Sequence, residues 1–94
     1  DADLEERGVR RLEPFHKWCK THNVQGFLGE FGVPRNDPRW MNVLNKFISR
    51  LETAGMGGCI WAGGEWWHDA PLSVHPDRTG AAAPQMQAWA KNVR

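Results

Sequence analysis

The sequence has 94 residues, with 12 Lys and Arg set against 11 Asp and Glu for a formal net charge of +1, and it holds six Trp but no Tyr. The charges are interleaved without a Lys/Arg run that could track phosphates, which argues against a nucleic-acid partner. No apolar stretch approaches the roughly 20 residues needed to cross a bilayer, and Asp1 to Glu6 is too acidic for a signal peptide, so residues 1–94 read as one small unit with no membrane segment and no address. Two cysteines cannot build a disulfide framework, and the neighbours of Cys19 and Cys59 mark both as small packed hydrophobes. Trp in such excess is hard to bury in a small core and is well suited to stacking on flat, weakly polar ligands.

A first helix is expected over about Leu4 to His22, where Val9, Leu12, Phe15 and Cys19 recur at helical spacing. Pro14 leaves two readings open: a helix kinked there, or one that starts at Glu13-Pro14 after a separate turn. Gly26 to Gly32 is a Gly-bracketed apolar run that reads as a strand buried on both faces, apart from one carboxylate, Glu30. Asp37-Pro38 signals the start of a second helix, which carries Trp40, Leu44, Phe47, Ile48 and Leu51 on one stripe and stops at Gly55. Gly57 to Ala62 repeats the short doubly apolar pattern, so the two strands and the helix between them predict a parallel β-α-β unit. Gly63 to Ala83 is a long irregular stretch of the kind that usually serves a site, and a last helix begins near Pro84 with Met86, Trp89 and Val93 on its inner face.

A carboxylate at the C-terminal end of a parallel strand stands where barrel enzymes place catalytic groups, and Glu30 is such a residue. The end of the second strand brings Trp61, Glu65, Trp66 and Trp67 to the same rim, a composition suited to a sugar. His16, Cys19 and His22 are spaced like a metal motif, yet on a helix the outer two point about 120° apart, so no metal is expected. His68, beside Trp67, is a better candidate for the site than His75.

The residues Gly26-Phe27-Leu28-Gly29-Glu30-Phe31-Gly32-Val33-Pro34, with Trp40, Trp61-Ala62-Gly63-Gly64, Trp66-Trp67, Pro71-Leu72-Ser73-Val74 and Pro84-Gln85-Met86, resemble the end of a family 5 glycoside hydrolase of the cellulase type. The resemblance covers nearly the whole chain. It implies an α/β fold that is part of a (β/α)8 TIM barrel: helix 6, strand 7, helix 7, strand 8 and helix 8, two parallel strands with three helices. It further implies that Glu30 is the nucleophile of a retaining β-1,4-glycan hydrolase and that Trp61 stacks under the cleaved sugar. Trp66, Trp67, His68 and Glu65 are expected around the substrate, with Glu65 where the family commonly has Pro. The ligand implied is a polysaccharide or oligosaccharide such as β-glucan, with no cofactor, and the parent enzyme is expected to be secreted.

A retaining mechanism needs a second Glu about 5 Å from the nucleophile, which the family carries in an Asn-Glu-Pro context. No Asn-Glu pair occurs in the sequence. The chain is therefore expected to be inactive alone and to associate as a homo-oligomer through exposed strand edges. The alternative is a non-catalytic oligomeric partial-barrel module, with or without residual carbohydrate binding; the helical stripe from Trp40 to Leu51 argues against a β-sandwich binding module.

Overall fold

A computed structural model of the chain describes residues 3–63, 67, 70–76 and 79–92. Helix α1 spans Leu4–Thr21, strand β1 Phe27–Phe31, helix α2 Arg39–Thr53, strand β2 Gly57–Ile60 and helix α3 Pro84–Asn92. The strands pair in parallel as a two-stranded sheet. Helix α2 lies between the other two helices, packing against α1 on one side and α3 on the other.

Of the two readings of Pro14, one continuous helix is found, with Pro14 inside it and exposed. The buried line of α1 is Leu4, Leu12 and Cys19, and Phe15 is 37% exposed rather than part of the stripe. Gly8 explains the displacement: the Phe47 ring of α2 lies 3.2 Å from where a Cβ would stand on Gly8, so the two helices meet along that line. The Phe15 ring lies instead beside Gly26, past the edge of the interface. Polar contacts run along the same seam. Glu13 accepts from Arg50 at 2.6 and 3.1 Å, Arg50 also donates to His16 Nδ1 at 2.8 Å, and Lys46 pairs with Glu5 and Glu6. The His16-x-x-Cys19-x-x-His22 pattern disperses accordingly, with Cys19 in the core and His22 Nδ1 donating to the Trp18 carbonyl at 2.9 Å.

Helix α2 matches its predicted span within two residues. Asp37 Oδ1 accepts from the Arg39 amide at 2.9 Å and satisfies one orphan donor of the first turn. Beyond the C-terminal end Gly55 has φ +69°, the left-handed conformation that favours Gly. Val43, Leu44, Ile48 and Leu51 are buried, and α2 joins two apolar clusters: one with Leu4, Val33 and Ala88, the other with Leu12, Cys19 and Met56.

The strands depart from the prediction of two buried faces. Leu28, Phe31 and Ile60 pack toward the helices, whereas Phe27 is 61% exposed and Cys59 is exposed as well. Only one face of the sheet is covered among the described residues, so the reading of Cys59 as a packed hydrophobe fails and that of Cys19 holds. Both thiols are free. On α3 the fully buried side chain is Gln85, with Ala88 next, while Met86 and Trp89 are half-buried; Val93 lies outside the described residues.

Candidate functional site

Glu30 is exposed at the penultimate position of β1. The strand register runs Phe27 to Gly57 and Leu28 to Gly58, then resumes at Phe31 and Ile60, so three steps on β1 oppose two on β2. The extra residue is a β-bulge at Gly29-Glu30. A bulge of this kind lets Leu28 and Phe31, an odd number of residues apart, both face the helices, and it re-aims the intervening side chain. Phe31 is braced from below by the Phe47 ring at 5.2 Å and the Trp89 ring at 6.0 Å.

Trp61 follows β2 directly. Its amide donates to the Phe31 carbonyl at 2.6 Å, extending the ladder one step beyond the strand and bringing Trp61 beside the end of β1. The side chain is 40% exposed and meets the half-buried Trp67 edge-to-face, with ring centroids 5.3 Å apart and planes at 70°. Such a pair leaves indole surface available for stacking on a ligand. Of the residues expected around the substrate, Glu30, Trp61 and Trp67 are thus described; Glu65, Trp66 and His68 lie outside the described residues.

The segment after Trp61 is laced onto the strand ends by backbone hydrogen bonds. Ala62 donates to Leu72 O at 3.2 Å, Val74 returns to Ala62 O at 2.9 Å, and Arg35, in the loop after β1, donates to Pro71 O at 2.9 Å. Gln85 sits beneath this lacing at 0% exposure, together with Ser73. In the sequence Gln85 stands out only as part of the Pro84-Gln85-Met86 resemblance, with no role attached, because the carbonyls it meets come from distant loops. A separate cleft of about 210 Å³ opens on the helix side, lined by Leu4, Arg7, Gly8, Trp40 and Phe47 among others, and neither Glu30 nor Trp61 lines it.

Endo-β-1,4-glucanase B of Emericella nidulans is 28% identical over 71 residues, which make up 73% of this chain and 22% of the relative; the Aspergillus niger endo-β-1,4-glucanase B matches with the same figures. Among solved structures, Pseudomonas stutzeri endoglucanase Cel5A superposes with a TM-score of 0.85 at 31% identity, covering 93% of this chain and 26% of that one. XacCel5A in complex with cellopentaose gives 0.89 at 31% identity, covering 96% of this chain and 30% of that one. The chain is related to the family 5 endoglucanases. It spans about a quarter of the length of these relatives. No protein-family model matches it. The relationship covers both strands and all three helices, and the α/β architecture corresponds to part of the family 5 TIM barrel. Among the described residues no helix is long and apolar enough to cross a membrane.

Proposed function

We propose that this chain forms one wall of a retaining β-1,4-glycan hydrolase barrel, α1 to α3 standing as helix 6, strand 7, helix 7, strand 8 and helix 8. Glu30 attacks the anomeric carbon and Trp61 stacks on the sugar being cleaved, and Trp67, together with Glu65, Trp66 and His68, contributes to substrate binding. The observation that carries this reading is the pairing of the Trp61 amide with the Phe31 carbonyl, which sets an exposed aromatic face one residue from a carboxylate held in a strand-end bulge. The ligand class is a β-1,4-glucan, as with the cellopentaose of XacCel5A. Because the sequence contains no Asn-Glu pair, the 94 residues by themselves supply the nucleophile without the family's proton donor and are inactive. The parent enzyme is secreted, where its polymeric substrate lies.

The experiment is Glu30→Gln in a complete barrel that carries this segment. The amide keeps the shape but loses nucleophilicity, so hydrolysis falls to a few per cent or less while glucan binding stays within a few-fold. Turnover above that level in the Gln variant would exclude the nucleophile role. A second reading, a non-catalytic oligomeric module with residual carbohydrate binding, draws on the exposure of Phe27 and of one sheet face. Binding of cellopentaose by the 94-residue chain, without turnover and with association, is its signature.

A further inference from the structure

We infer that Gln85 is a positioning residue whose side-chain amide holds the Trp61 platform in register with the Glu30 strand end. The inference rests on the proposed reading of that rim as the sugar site. Gln85 Nε2 lies within hydrogen-bond reach of three carbonyls: Ser73 O at 3.1 Å, Pro71 O at 3.2 Å and, more weakly, Val33 O at 3.4 Å. Val33 comes three residues after Glu30, on the loop leaving β1. Pro71 and Ser73 flank Leu72, whose carbonyl takes the Ala62 amide, the first group after Trp61. Pro71 O also accepts from Arg35, so a single donor on α3 gathers the loops behind both strand ends.

The chemistry explains why this position is polar. Backbone carbonyls turned inward from loops find no ladder partner, and a buried acceptor without a donor is unfavourable, so something must supply N–H groups there. A Gln amide offers two. Its own Oε1 is buried with no hydrogen-bond partner among the described residues, which marks the side chain as kept for what its nitrogen donates. An apolar residue of similar length would fill the same space and leave the loops untied.

The test is amide hydrogen exchange in the 94-residue chain and its Gln85→Met variant. Positioning predicts exchange at least tenfold faster at Ala62 and Val74, with Leu44 and Ile48 of α2 within about twofold of wild type, because the loss is local opening rather than global unfolding. Unchanged exchange, or equal acceleration at all four amides, overturns the inference. Should the Met variant fail to fold, Gln85→Glu gives the decision: a neutral carboxyl can donate to one carbonyl and an ionised one cannot, so protection factors at Ala62 and Val74 must rise in acid relative to neutral pH, and equal protection at both overturns it. Cellopentaose titration by Trp fluorescence separates the two readings. Binding to wild type that weakens at least fivefold in the Met variant supports both, binding that the Met variant leaves unchanged overturns the positioning role, and absence of binding to wild type removes the reading as a free-standing carbohydrate-binding module while the exchange pattern still decides Gln85.

Discussion

Gly32 and the Trp61 carbonyl stand so close that a methyl group on Gly32 would lie 2.6 Å from that oxygen. The contact is to backbone, which cannot rotate away, so the end of β1 and the turn after β2 are fitted to each other through the missing side chain. Gly29, two residues inside the bulge end of β1, has nothing within 4 Å of the same construction. Gly32→Ala is therefore expected to lower stability by about 1–3 kcal/mol and to disturb the Trp61–Trp67 pair, whereas Gly29→Ala stays within about 0.5 kcal/mol. Urea unfolding with near-ultraviolet circular dichroism reads both. Equal effects of the two substitutions would dismiss the close approach as a determinant.

Trp61→Ala, in a complete barrel carrying this segment, is expected to lower the specificity constant on cello-oligosaccharides at least about tenfold, or roughly 1.4 kcal/mol of lost stacking in the transition state. Trp61→Phe keeps an apolar ring and should recover part of the loss. If the Ala variant retains the wild-type specificity constant, Trp61 packs against protein and takes no part in stacking on the sugar.

Acid is expected to loosen the helix layer. The Arg50 hydrogen bond, followed by its charge, holds the Glu13 carboxyl below its ordinary value of 4.5, and Arg39 does the same for Asp37, below 3.8. A carboxyl whose folded-state pKa is depressed contributes stability above its unfolded pKa, and that contribution disappears as pH falls through the lower folded value. The urea midpoint should thus hold from neutral pH to about 5 and decline below about 4.5. Glu13→Gln removes part of the decline and lowers the neutral plateau. Acid sensitivity identical to wild type in this variant would show that the Glu13–Arg50 pair contributes nothing to the pH profile.

The legibility of these features in the sequence divides along physical lines. Local signals were sufficient for α2, where Asp37, the apolar stripe and Gly55 agree on a start, a face and a stop, and for the two strands bracketed by Gly. Pro14 stayed open because a missing N–H and a good amphipathic pattern pull in opposite directions, and packing of α1 on α2 decides in favour of the helix. Periodicity tells which face a residue occupies and not whether anything covers that face, which is why Phe15, Phe27 and Cys59 turned out exposed. The bulge at Gly29-Glu30 depends on the register between two strands, and the role of Gln85 depends on carbonyls at Val33, Pro71 and Ser73, so neither has a local signature. Glu30 and Trp61 stand out in the sequence through motif resemblance combined with strand-end position, and the structure pairs the Trp61 amide with the carbonyl of Phe31, the residue after Glu30.

The final prediction concerns self-association of the 94-residue chain. The described sheet has two strands, and each has an outer edge without a partner strand, which leaves backbone donors and acceptors open to pairing with another chain. The face away from the helices carries Phe27, and the adjoining end of α1 and its turn expose Trp18 and Val24. Those apolar groups favour burial at about 25 cal/mol per Å², and a two-layer unit of this size has little stability to spare for leaving them in water. A symmetric homo-oligomer, dimer or larger, that extends the sheet past β1 covers the edge and the apolar face together. Phe27→Lys should oppose it, since a Lys on an edge strand resists pairing, and should shift the population toward monomer without unfolding the helices. Light scattering is the measurement: a wild-type chain that runs as a monodisperse, folded monomer of 10.7 kDa excludes association. The same preparation should leave soluble glucan intact, because joining copies of this wall adds further copies of Glu30 and no proton donor in the family's sequence context, and clear turnover by the pure chain would refute that inactivity.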